Sequence, residues 1–409
     1  MASTLLKQIL HPDSRPHPWD LYADLRREPV SVQDDGTHVV GGYEEITALL
    51  RDPRVSVDPG KAAAGGRIRT GTQEPGQAPP FLVRDNPAHD RLRGQAMRHF
   101  GPPELPGGVE GLRTMVEDLV RDRIDRLTGR TEFDLVSEVA YPVPVLVICH
   151  LLGIPPHDAD ALAHSSEDAV RGPEFQVDPY DPEVTAARTH ASQELGTYFA
   201  AHIERLRENP GEDMLSRMIH DDGPRGRMST PELLNTAITL FVGGHETTVN
   251  LIASCMLLLL RHPDQLARLK ADPSLTAGAI EETLRMEPSV HMRARIAVDD
   301  IRVGDHHVIP RGSSIILNIA AGNRDPRRFP DPDTFDITRP DNAHLSFSGG
   351  IHYCFGAALG RMEGQIAVRR LVQRLVVPRL LQDPPPYRVP ADLRGPSALH
   401  LAVDDVRAA

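Results

Sequence analysis

Phe347-Ser348-Gly349-Gly350-Ile351-His352-Tyr353-Cys354-Phe355-Gly356 is the stretch that decides the reading of this 409-residue chain. Three glycines flank one cysteine, and Ala357, Ala358, Leu359 and Met362 directly after it follow a helical spacing. Glycine lets a backbone turn sharply and come close to a flat ligand. A helix that begins beside a sulfur offers free N–H groups and the positive end of its dipole. Both favour the thiolate, the form of cysteine that ligates metal. Taken alone, Gly-Xaa-Cys is more often a glycine-rich loop with an incidental buried cysteine, so the rest of the chain has to decide.

Upstream, Ser229-Thr230-Pro231-Glu232 has the spacing of a capping box with proline near a helix start. The helix should run to His262-Pro263, which at 1.5 Å per residue is about 47 Å, enough to cross the middle of the protein. Its centre reads Gly243-Gly244-His245-Glu246-Thr247-Thr248. Two glycines there cost roughly 1 kcal/mol each, and a local rule broken inside a strong helix points to a functional site. The bland alternative is a glycine pair that admits a crossing helix. A zinc-hydrolase reading of His245-Glu246 fails, because Val249 and Asn250 supply no second histidine.

Composition narrows the class. The net charge is −12 with no compensating basic block, which excludes a nucleic-acid partner. Three cysteines (149, 255 and 354) are too few and too scattered for a disulfide framework or a zinc ribbon, and they fit a reducing compartment. Residues 1–20 have no sustained apolar run, so neither a signal peptide nor a membrane anchor is expected. The most apolar stretch, Leu251 to Leu260, is about half of the roughly 20 residues a membrane span needs. A cytoplasmic protein is the expectation.

Helical patterns occupy most of 88–99, 108–128, 135–152, 158–170 and 183–208, with Asn86-Pro87 reading as an N-cap and first helical residue. A short helix is expected from Ala277 to Met286, and another after Cys354. Strand signals are confined to a hairpin at 30–40 and to Ile301–Val303, Val308–Ile309 and Ile315–Asn318. The fold class is therefore mainly α, in an α+β order, with a small segregated β-sheet and no linker that divides residues 1–409 into separate domains. Residues 59–80 read as a long loop, and the proline-rich 171–182 as a break between helices.

The cysteine stretch resembles the cysteine-ligand loop of the cytochrome P450 family, Phe-Gly-Xaa-Gly-Xaa-His/Arg-Xaa-Cys-Xaa-Gly. Phe347, Gly350, His352, Cys354 and Gly356 match, and Ser348 stands where the family usually has glycine. The centre of the long helix is similar to the family's oxygen-binding groove, Ala/Gly-Gly-Xaa-Asp/Glu-Thr. Glu282…Arg285 falls where the family has Glu-Xaa-Xaa-Arg, although Glu110…Arg113 and Glu204…Arg207 share its spacing and read as surface pairs. His89 and Arg93 look like the family's His-Xaa-Xaa-Xaa-Arg, and Arg295 like the arginine ahead of the first strand of the sheet. Matches run from about His89 to Gly356.

The resemblance implies a soluble bacterial haem-thiolate monooxygenase that inserts one oxygen atom from O2 into a small organic substrate. It implies haem b as cofactor, with Cys354 as the iron ligand and His89, Arg93, Arg295 and His352 as propionate partners. Gly243 and Gly244 would make room for O2, and Glu246 and Thr247 would be the catalytic acid–alcohol pair. Glu282 and Arg285 would brace the core together with the meander near Arg339. Electrons would come from a separate ferredoxin-type protein and its reductase, docking near Arg91, Arg98, Arg361 or Arg369, with the enzyme a monomer. Secondary-metabolite tailoring is the expected setting, and the loops at 59–80 and 171–182 would cover the distal pocket. A non-catalytic haem-thiolate protein and a peroxide-driven enzyme are the rivals, and the Glu246-Thr247 pair argues against both.

Overall fold

The long helix expected around Gly243 is the axis of the structure. The computed structural model describes residues 4–63, 66–68, 79–100, 108–169, 175–178, 181–304 and 307–408. Parts of the loop at 59–80 and of the break at 171–182 lie outside the described residues.

Among the described residues, the first helices are α1 (Leu5–Leu10), α2 (Trp19–Arg27), α3 (Tyr43–Leu49), α4 (Ala88–Phe100) and α5 (Arg113–Asp125). They are followed by α6 (Pro142–Leu151), α7 (Ala159–Ala169), α8 (Pro182–Glu208), α9 (Met214–Ile219) and α10 (Thr230–Arg261). The last are α11 (Pro263–Ala271), α12 (Thr276–Met286), α13 (Ile319–Gly322) and α14 (Ala357–Arg374). The capping box at the start of α10 is formed in both directions, with Ser229 N–H donating to Glu232 Oε2 at 2.8 Å. Every residue from Val249 to Leu259 is buried, as expected of a helix that is apolar all round and enclosed by others. Helices α6, α8, α12 and α14 surround it and share its hydrophobic core.

The sheet stands apart from this core. Strands β1 (Val30–Val32), β2 (His38–Val40), β3 (Val55–Ser56), β5 (Met292–Ala297) and β8 (Ser314–Asn318) form one sheet in the order β1-β2-β8-β5-β3. β2 and β8 run parallel and the other pairs antiparallel. Smaller ladders are made by β4 (Glu132–Asp134) with β10 (Arg379–Leu380) and β11 (His400–Ala402), by β6 (Ile301–Val303) with β7 (His307–Ile309), and by β9 (Leu375–Val376) with β12 (Asp405–Val406).

The structure corrects two local expectations. Arg295 does not precede the first strand of the sheet but lies inside β5, opposite Ile315. Two arginines at alternating positions, 293 and 295, hid that strand from a hydrophobicity pattern. Asn86 is not an N-cap: the Asn86–Pro87 peptide is cis, helix α4 begins at Ala88, and the Pro87 carbonyl accepts the Arg91 N–H. No described helix is long and apolar enough to cross a membrane.

Candidate active site

Cys354 is held by a loop whose conformation depends on its glycines. Gly350 has φ +63°, and a Cβ there would meet the Leu50 carbonyl oxygen at 2.3 Å. Ser348 has φ +62°, so the family's glycine at this position answers a backbone demand that serine meets with strain. The Cys354 N–H donates to the Phe347 carbonyl at 2.8 Å, which closes the loop, and α14 starts three residues later. Burial raises the Cys354 thiol on balance, and the Gly356 N–H and the charges of Arg293, Arg93 and Arg361 offset part of that rise. Cys149 and Cys255 are deep in the core and no cation acts on either, so burial raises both to about 12. Among the described residues, Cys354 is the cysteine whose burial is opposed by an N–H and by arginines.

The four residues expected as propionate partners gather beside it. His89 is buried, its ring lies 4.4 Å from that of His352, and neither His89 nitrogen has a hydrogen-bond partner among the described residues. His352 Nε2 is likewise buried without a partner. Burial, then the charge of Arg295, lowers the His352 pKa to about 3. Burial, then neighbouring Arg293, lowers that of Arg295 to about 9. Arg93 Nη2 donates to the Tyr353 carbonyl at 2.7 Å, so His89 and Arg93 both reach the cysteine loop from one face of α4. The nearby carboxylate of Asp85 is already engaged by Lys61, Ser56 and the Val57 N–H. A group bringing two carboxylates satisfies this cluster, and the donor chemistry fits haem.

The glycine pair on α10 divides its work. A Cβ on Gly243 would meet nothing within 4 Å, whereas one on Gly244 would press on Ile148 of α6 at 2.8 Å. Gly243 therefore borders open space, and Gly244 lets α6 cross. The Thr247 hydroxyl donates to the Gly243 carbonyl at 3.3 Å, and the Thr247 carbonyl accepts from Ser289 Oγ at 2.6 Å. Glu246 is buried, with Arg388 Nη1 at 2.9 Å from Oε2 and His245 Nε2 at 3.6 Å from Oε1. His245 itself is a satisfied core residue, bonded to the Phe241 carbonyl and to Ser166.

The Glu282–Arg285 pair is fully buried and accepts a third partner, Arg339 Nε, at 3.1 Å. Arg285 also donates to the carbonyls of Asn323 and Pro332, which pins the meander under the cysteine loop. The pairs Glu110–Arg113 and Glu204–Arg207 lie on the surface, as expected. Of the four proposed docking cations, Arg91 is paired with Glu232 and Arg98 with Asp221. Arg361 is bound to Glu281 at 2.7 Å and stacked on Phe347, so it braces the loop. Arg369 is exposed.

Sequence reasoning missed Arg293, Arg388 and Glu363. Glu363 on α14 is buried with no well-formed hydrogen bond to either oxygen among the described residues, and burial, against a smaller effect of Thr248, raises its pKa to about 8. Only the alternation of Arg293 with Arg295 could have been noticed in the sequence.

The family model described as cytochrome P450 matches residues 177–391. This chain belongs to the cytochrome P450 family. It is 40% identical over 379 residues to cytochrome P450 107B1 of Saccharopolyspora erythraea, covering 90% of each chain. It is 35% identical over 370 residues to 6-deoxyerythronolide B hydroxylase of the same organism, covering 86% of this chain and 87% of that one. The structure of ligand-free Mycobacterium smegmatis CYP164A2 superposes with a TM-score of 0.89 at 34% identity, over 98% of this chain and 99% of that chain. As a cytochrome P450 the protein is a haem b monooxygenase that uses O2, an organic substrate and redox partners. A non-catalytic role finds no support among relatives that are hydroxylases and monooxygenases.

Proposed function

We propose that Cys354 would supply the thiolate ligand of the haem iron in this monooxygenase and that His89, Arg93, Arg295 and His352 would hold the haem propionates. The observation that carries this reading is the meeting of one thiol, presented by a glycine loop at the start of α14, with buried imidazole nitrogens that have no hydrogen-bond partner among the described residues. Haem held there would supply the activation of O2 and the insertion of one oxygen atom into substrate.

The chain's own residues do the rest. Phe347 and Gly356 shape the loop that presents the sulfur, and Gly243 leaves the face of α10 open. Thr247 Oγ1 turns from the Gly243 carbonyl to hold a proton toward the reacting face. Glu246 Oε1, buried without a hydrogen-bond partner, is the carboxylate beside it. Because Oε2 is held by Arg388, proton supply through Glu246 requires that pair to loosen.

Electrons come from a ferredoxin-type protein and its reductase, which approach the Cys354 side near exposed Arg369. The enzyme works as one monomeric, single-domain unit in the cytoplasm. The relative named for hydroxylating 6-deoxyerythronolide B supports a role in secondary-metabolite tailoring. The test is turnover under isotopically labelled O2 with ferredoxin, reductase and reduced nicotinamide. One labelled atom should enter the product, and omission of ferredoxin should stop the reaction. Product formed at full rate without ferredoxin would contradict the electron route.

A further inference from the structure

The interior holds one cation that the propionate cluster does not require. Arg293 stands two residues before Arg295 on β5, opposite Leu317. Met292 and Ala294 pack with the N-terminal helices, so strand alternation sends Arg293 and Arg295 to the other face. The Arg293 side chain makes no hydrogen bond or ion pair with any described residue, and the negative charges that act on it are those of Asp392 and Cys354. Its side chain is partly accessible and lies on the same face of β5 as Arg295, which acts on His352. The segment leading into β5 is tied to the centre of α10, because Ser289 Oγ donates to the Thr247 carbonyl at 2.6 Å. The same segment is fixed from the other side by the His291 N–H, which donates to the Asp392 carbonyl at 2.7 Å.

A desolvated guanidinium is costly unless it is paired, and its forked donors match a carboxylate in two places at once. His89, Arg93, Arg295 and His352 already supply donors for two propionates. We propose that Arg293 receives the carboxylate of the substrate, so that this enzyme takes an apolar organic acid and holds its anionic end at the Arg293–Arg295 face of β5. This deepens the haem reading above and rests on it.

The test uses the ferric holoenzyme and saturated fatty acids of graded length, each compared with its methyl ester, with the Soret shift reporting binding. The red-shifted band of reduced protein under CO, recorded first for each variant, separates a failure of the haem reading from a failure of this assignment. Wild type should bind the best-fitting acid about tenfold or more tighter than its ester. Arg293→Leu should abolish that preference while retaining haem as wild type does. Arg293→Lys should keep part of it, since lysine offers a charge without the fork. A wild type that binds acid and ester equally, or an Arg293→Leu variant that still prefers the acid, overturns the proposal. So does an Arg293→Leu variant that loses haem, which would make Arg293 a further propionate partner.

Discussion

Arg388 and Glu246 form an ion pair inside the protein, 2.9 Å apart, between a segment near the C-terminus and the centre of α10. The carboxylate side chain is 3% exposed and the guanidinium side chain 13%. Burial pushes the Glu246 pKa up, but His245 and Arg388 outweigh it and hold the carboxyl below its ordinary value.

Removing Arg388 leaves a buried carboxylate without its cation. Arg388→Gln is expected to cost about 3–5 kcal/mol at neutral pH, read from urea unfolding of the holoenzyme. The folded pKa of Glu246 lies below its unfolded value near 4.5. The contribution of the pair is therefore fully present above that value and is lost as pH falls through the folded pKa. The gap between variant and wild type should narrow in acid. A variant as stable as wild type at neutral pH would show that the pair does no structural work.

The two glycines of α10 should respond in opposite ways. Gly243→Ala puts a methyl into open space and should gain up to about 1 kcal/mol of helix propensity. Gly244→Ala drives a methyl into Ile148, and overpacking of this kind costs about 1–3 kcal/mol. Thermal unfolding should thus place Gly244→Ala below Gly243→Ala. Gly243→Ala should in addition weaken CO binding to the reduced enzyme, which Gly244→Ala should leave nearer to wild type.

Thr247 separates proton handling from packing. Thr247→Ala should keep haem and the CO band and should still consume reductant. It should release more hydrogen peroxide and form about tenfold less product per electron, or lower still. Thr247→Ser should restore much of the coupling, since it keeps the hydroxyl. If Thr247→Ala couples electrons to product as well as wild type does, the hydroxyl only satisfies the Gly243 carbonyl.

What was legible in the sequence follows from physical range. The loop around Cys354, the capping box at Ser229 and the Glu282–Arg285 pair rest on contacts within a few residues, and the structure shows each of them. The division of labour between Gly243 and Gly244 depends on which neighbour each faces, and Ile148 lies on another helix. Strand β5 was hidden because its arginines face an interior that carries charge. Arg361 looked like a free surface cation until Glu281, from α12, was seen to hold it. Arg388 reaches Glu246 from a part of the chain with no helical or strand signal. Such pairs are set by tertiary packing and leave no mark in local spacing.

The central claim is that Cys354, and neither other cysteine, ligates the iron. The direct measurement is the absorption spectrum of the reduced protein under CO for wild type, Cys354→Ala, Cys149→Ala and Cys255→Ala. Wild type and the two core variants should show the strongly red-shifted Soret band of a thiolate-ligated haem, and Cys354→Ala should lack it. A Cys354→Ala protein that keeps the band would contradict the ligand assignment and the account built on it.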